Sequence, residues 1–103
     1  VKRVKRRYLA LQVEMEGVPS EKELMDAIWG SVTRLYGEVG ASLTSMALIN
    51  FDVSCKIVVV RTSLETLDFV RASLACIIRV AGMPASVHVL AVSGTIKALL
   101  KHF

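Results

Sequence analysis

The side chains in this sequence best suited to chemistry are cationic, and they stand near its two ends. Lys2, Arg3, Lys5, Arg6 and Arg7 open the chain, and Ser93-Gly94-Thr95 precedes Lys97 near its close. Lysine and arginine neutralise phosphates and release the counterions condensed on a polyanion. A Ser-Gly-Thr turn that opens a helix adds unsatisfied N–H groups and a partial positive charge, a setting for an anion. Glycine lets the anion approach closely, and the flanking hydroxyls can donate to it. Two plainer readings stay open: an ordinary helix cap at Ser93, and a basic run that is only a solvated tail.

Catalytic chemistry is scarce. No P-loop, HExxH, GxSxG or dinucleotide glycine pattern occurs. The histidines are His88, inside a predicted strand, and His102. A strand histidine is expected to be a structural or edge residue. Glu14 and Glu16 could face one side of a strand end, but no histidine is near them in sequence, and no metal site is expected. Cys55 and Cys76 are too few and too far apart for a zinc motif. Each lies in an apolar run, so buried free thiols are expected. The protein itself is expected to carry no cofactor.

The totals bound the elements that must position these groups. A chain of 103 residues suits one domain spanning 1–103. With 53% hydrophobic and 21% charged residues it should fold rather than stay disordered. No apolar run approaches the roughly 18 residues of a membrane span, and the charged opening lacks a secretory signal. A cytoplasmic address and no membrane partner are expected. The formal charge of +4 hides a pattern. Residues 1–7 carry five bases and no acid, residues 8–68 carry four bases and all nine acids, and residues 69–103 carry four bases and no acid. The body is acidic and the ends are basic.

Residues 8–15 read as a first strand, ended by Gly17-Val18-Pro19. Ser20 and Glu23 form a capping box, and Leu24, Ala27, Ile28, Val32 and Leu35 follow helical spacing. Gly37 sits where this helix would stop. Trp29 reads as a core or interface anchor rather than a base-stacking residue. Residues 41–51 and 55–61 read as a hairpin, although its turn lacks the Asn-Gly signal. Thr62 and Glu65 suggest a second capping box, followed by a helix through Ile77 and Ile78 that Gly82 and Pro84 terminate. Residues 86–92 make a fourth strand, and a last short helix runs through Leu100.

The order β-α-β-β-α-β plus a short C-terminal helix predicts an α+β fold, a ferredoxin-like or RRM-like α/β sandwich with a four-stranded antiparallel sheet. The expected spatial order is 4-1-3-2. Two long helices would cover one sheet face. The other face is also apolar and needs the last helix, a partner chain, or both. Strands 1 and 4 run antiparallel, and strand 3 ends at the same edge. Arg6, Arg7, Arg61 and the Ser93-Gly94-Thr95 turn should therefore converge. An RNA-recognition motif stacks bases on aromatics of its central strands. Strand 3 has none here, and strand 1 has only Tyr8 at its start. RNA, if bound, should be held through charge and backbone amides. Leu48, Phe51 and Val53 near the hairpin could mediate protein contacts or belong to the core.

Lys5-Arg6-Arg7-Tyr8-Leu9, then Leu35-Tyr36-Gly37-Glu38-Val39-Gly40-Ala41, then Ile57-Val58-Val59-Val60-Arg61, then Val92-Ser93-Gly94-Thr95-Ile96-Lys97 occur in this order. In that the sequence resembles the archaeal ribonuclease P protein component 2 family, over essentially the whole chain, most specifically in the closing segment. The resemblance implies an RRM-like sandwich that assists a catalytic RNA in removing the 5′ leader of precursor tRNA. It implies that the chemistry belongs to that RNA and its magnesium ions. The implied partners are the ribonuclease P RNA, a TIM-barrel protein subunit, precursor tRNA through the holoenzyme, and a second copy of the chain. Carried onto these positions, the RNA-facing candidates are Lys5, Arg6, Arg7, Arg61, Ser93, Gly94, Thr95 and Lys97. Many relatives continue beyond the closing helix, which leaves open how fully that helix covers the sheet.

Two other function classes compete. A dimeric ferredoxin-like domain could bind a small regulatory ligand between paired sheets, but the basic ends fit it poorly and no glycine-rich ligand loop supports it. An acylphosphatase-like hydrolase would need an arginine in an anion-cradling loop after strand 1. Residues 16–20, Glu-Gly-Val-Pro-Ser, contain none.

Overall fold

The computed structural model describes residues 5–100. Its elements are β1 (Arg6–Met15), α1 (Glu21–Leu43), β2 (Ala47–Asp52), β3 (Ile57–Ser63), a 3-10 turn (Leu64–Thr66), α2 (Leu67–Ala75), β4 (Arg79–Val80), β5 (Met83–Ser93) and α3 (Ile96–Leu100). The antiparallel sheet has five strands in the order β2-β3-β1-β5-β4. Its four long strands stand in the expected order. The fifth strand corrects the four-stranded expectation. No helix among the described residues is long and apolar enough to cross a membrane.

The extra strand forms because the second helix ends before its apolar spacing does. The sequence predicts one helix through Ile78, but α2 stops at Ala75. Ala81 and Gly82 then both take positive φ, 55° and 79°. Two such residues in succession make the tight turn whose twist suits a hairpin. Val80 accordingly pairs with Met83, and Arg79 with Pro84. Pro84 lacks an N–H and donates no ladder bond, while Ala85 N–H donates to the Ile78 carbonyl at 3.0 Å.

Two-residue alternation sorts β1 between two cores. Leu9, Leu11 and Val13 join Val58, Val60 and Val87 on the face covered by Leu24, Ile28 and Val32 of α1 and Val70 and Leu74 of α2. On the other face Ala10 and Val59 meet Leu99 of α3, with Tyr8, Ile49 and Ala91 around them. The last helix thus covers part of the second face.

α1 begins as predicted. Glu23 N–H donates to Ser20 Oγ at 3.1 Å, and Ser20 N–H to Glu23 Oε1 at 3.0 Å. Gly37 (φ 75°, ψ 175°) breaks the helix, which resumes and ends at Leu43. The second strand therefore starts at Ala47 rather than 41. Leu35, expected on the inner stripe, is exposed. Tyr36 stacks on Phe69 of α2, with ring centroids 4.3 Å apart. The second capping box does not form. The Thr62 hydroxyl instead donates to the Thr44 carbonyl at 3.0 Å, and Ser63 N–H donates to the same carbonyl at 2.8 Å. The Thr62 hydroxyl is turned toward the end of α1, and the next helical turn starts one residue later, after Ser63.

The β2–β3 turn needs no glycine. Asp52 Oδ1 accepts from Ser54 N–H (3.1 Å), Ser54 Oγ (2.7 Å) and Cys55 N–H (3.3 Å). This side chain does the work of a backbone turn, and Lys56 takes the left-handed conformation at φ 55°. Cys55 and Cys76 are free, as expected, but both are exposed. One sits in this turn and the other caps α2, so the apolar runs around them did not bury them.

Candidate nucleic-acid interface

The register brings the basic residues to one end of the sheet. Arg6 stands opposite Ser63, Arg7 opposite Thr62, and Tyr8 opposite Arg61. On its other side Tyr8 stands opposite Ser93. Directly opposed residues share a face, so Arg61, Tyr8 and Ser93 form one row on the face that α3 partly covers. Arg7 alternates to the other face. Its guanidinium lies over Gly94, where a β-carbon would stand 3.5 Å from Nη1. The convergence is therefore real at the edge but divided between two faces, because adjacent strand residues point oppositely.

Each group has a definite local setting. Lys5 is exposed, and its carbonyl accepts from Leu64 N–H at 2.8 Å, tying the chain entry to the end of β3. Arg6 is exposed, and its carbonyl accepts from Arg7 Nη1 at 2.9 Å. Arg61 is half-buried, and its Nε is enclosed without a hydrogen-bond partner. Lys97 is exposed on α3. The cap of α3 is Thr95 rather than Ser93: Ala98 N–H donates to Thr95 Oγ1 at 3.1 Å. Ser93 Oγ accepts a long 3.4 Å bond from Thr95 N–H. Both hydroxyl oxygens accept in these bonds, so their O–H groups are left to donate. The guanidinium groups carry the electrostatics.

The carboxylates of the strands themselves lie away from the arginines, although Glu65 follows β3 at the arginine end. Among the described residues the ion pair present is His88 Nε2 to Glu14 Oε2, at 3.4 Å and largely exposed. No carboxylate there lies in ion-pair reach of Arg6, Arg7, Arg61 or Lys97. Glu14 and Asp52 sit at the opposite ends of β1 and β2 from the arginines. Sequence separation hid the approach of His88 to Glu14. The β1–β5 pairing of Gln12 with His88 and Glu14 with Ser86 produces it, and Ser86 Oγ lies 3.2 Å from the same imidazole nitrogen. Both neighbours share one nitrogen, so the group is not arranged as a proton relay. No cluster of three or more metal-ligating side chains occurs among the described residues.

The hairpin candidates separate. Leu48 and Phe51 are partly buried against the main core, whereas Val53 is exposed in the turn. Tyr8, set between Arg61 and Ser93, was not singled out from the sequence as a site residue. Counting the register outward from the Ser93 turn would have found it.

A model of the Rpp14/Pop5 family matches residues 7–103. Ribonuclease P protein component 2 of Pyrococcus horikoshii is 33% identical over 101 residues, covering 98% of this chain and 84% of that protein. The protein of the same name from Pyrococcus furiosus is 35% identical with the same coverage. That from Methanosarcina mazei is 33% identical, covering 98% of this chain and 85% of its own length. A chain in the cryo-EM structure of yeast ribonuclease MRP matches with a TM-score of 0.75 at 14% identity, covering 99% of this chain and 93% of that one. At that identity the likeness concerns the fold.

Proposed function

The chain belongs to the Rpp14/Pop5 family and is a ribonuclease P protein subunit, and from that premise we propose that it supports the particle's catalytic RNA without itself breaking a bond. Removal of the 5′ leader from precursor tRNA is then the work of the RNA and its magnesium ions. The observation that carries this reading is the end of the sheet where Arg6, Arg7, Arg61 and Ser93 stand on paired strands, with no carboxylate in ion-pair reach of these arginines among the described residues. Such a surface neutralises the phosphates of two RNA segments that would otherwise repel, and counterion release drives the contact. Tyr8 is partly buried against the cluster of Ala10, Val59 and Leu99. Charge and backbone contacts, which position RNA without reading bases, suit this surface better.

A TIM-barrel subunit of the same particle and a second copy of this chain are the protein partners consistent with the family, and a cytoplasmic address suits such a particle. The dimeric small-molecule reading gains nothing from the geometry, because Leu99 sits on the sheet face that would have to pair. The test is a reconstituted ribonuclease P cleaving precursor tRNA, with Arg6, Arg7 and Lys97 changed together to Ala. Cleavage should fall at moderate salt and recover at high protein concentration, with unfolding unchanged. An unaltered rate would sink the residue assignment.

A further inference from the structure

A groove of about 300 Å3 lies between α1 and the segment that joins α2 to β4. Ala27 and Gly30 of α1 form one wall, and Ile77 and Ile78 the other. Arg34 and Arg79 stand at its rim. Ile77 is buried, but Ile78 is 72% exposed. Gly30 leaves its wall open: a β-carbon there would meet nothing within 4 Å. Among the described residues neither Arg34 nor Arg79 has a carboxylate in ion-pair reach.

The geometry points to a docking groove for a segment of a partner protein that places an apolar side chain beside a carboxylate. The apolar side chain would cover Ile78 and fill the space at Gly30, and the carboxylate would pair with Arg34 and Arg79. Burying Ile78 is favourable only for an apolar occupant, and a bidentate guanidinium–carboxylate pair adds direction. An RNA strand fits less well. Its backbone has nothing apolar to set on Ile78.

The groove is separate from the basic end. Arg79 pairs with Pro84 near the start of β5, whereas Ser93 ends that strand. The intervening strand spans about 30 Å. The choice of partner to be tested rests on the assembly reading above, and the separation lets the two be tested independently.

Two variants probe the groove, Gly30→Leu and the double change Arg34→Glu with Arg79→Glu. Each is titrated with the particle's other protein subunits in the absence of RNA, and separately with the particle RNA. Both variants should lose at least about tenfold in affinity for a protein subunit, roughly 1.4 kcal/mol, with RNA affinity close to wild type. Gly30→Leu enters open space on a helix and keeps the test valid should the charge reversals disturb folding. Unchanged protein binding in Gly30→Leu overturns the groove, and so does a loss confined to RNA affinity, which would mark a phosphate site. If the wild-type chain binds RNA but no protein subunit, the groove proposal fails and the RNA reading stands. If it binds a protein subunit through the groove but no RNA, the reverse holds.

Discussion

The Arg7 guanidinium rests over the backbone of Gly94, at ordinary van der Waals distance from where a β-carbon would be. This follows from the pairing of Tyr8 with Ser93, which leaves Arg7 and Gly94 facing each other one residue outward. Gly94→Ala should therefore fold and bind RNA like wild type. Gly94→Leu should push the guanidinium aside and behave like Arg7→Ala. Each of the latter two should weaken RNA binding several-fold and lower the slope of log affinity against log salt by about 1. Filter binding across a salt series checks this. An Arg7→Ala slope equal to wild type would remove Arg7 from the contact.

Leu99 is fully buried between α3 and the sheet, against Ala10 and Val59. Leu99→Ala should cost about 2–5 kcal/mol, the usual range for emptying such a site. Urea unfolding measures it. Hydrogen exchange at Ala91 should accelerate, because that strand loses its cover. A cost under about 1 kcal/mol would mean that α3 is not docked there in solution.

What the sequence disclosed depended on how local the signal was. The capping box at Ser20 and Glu23 involves four consecutive residues, and it formed as expected. The order of the long strands follows from connection rules and also stood. Thr62 and Glu65 carry the same local pattern, yet the threonine hydroxyl is turned toward a distant carbonyl, that of Thr44. No local reading could weigh that contact. Gly82, with Pro84, reads as a helix stop because isoleucines at 77 and 78 extend the apolar spacing. Its meaning as a turn depends on two positive φ angles, and Ala81 gives little hint of its own. At the site, topology correctly gathered the arginines at one edge. It could not divide them between faces until the register put Tyr8, not Arg7, opposite Arg61.

Asp52 should titrate below the usual aspartate range. The Ser54 hydroxyl bond is the main cause, followed by the Cys55 and Ser54 backbone N–H groups, all favouring the carboxylate. With the folded value depressed, the turn's contribution is present above the unfolded value and is lost as pH falls through the folded one. The group is fully exposed, so the effect is local rather than global. A carboxyl NMR titration should show the low midpoint. Asp52→Asn keeps an acceptor oxygen and should hold the turn without the acid dependence, whereas Asp52→Ala should loosen it at every pH. A midpoint in the ordinary range would contradict the hydrogen bonding.

Arg61 presents the sharpest contrast between stability and function. Its Nε is enclosed without a partner, and an unsatisfied buried donor typically costs about 1–3 kcal/mol. Arg61→Met keeps the apolar stem beside Tyr8 and removes both donor and charge. Its stability should match or exceed wild type by about 1 kcal/mol. Its RNA affinity should fall, with the salt slope reduced by about 1. Arg61→Lys should keep the slope and recover only part of the affinity, since an ammonium lacks the guanidinium's planar fork. Thermal unfolding and salt-dependent binding on the same three proteins decide the matter. If Arg61→Met is less stable and binds RNA as wild type does, Arg61 is a structural residue, and the RNA surface is confined to the Arg6–Arg7 side of the edge.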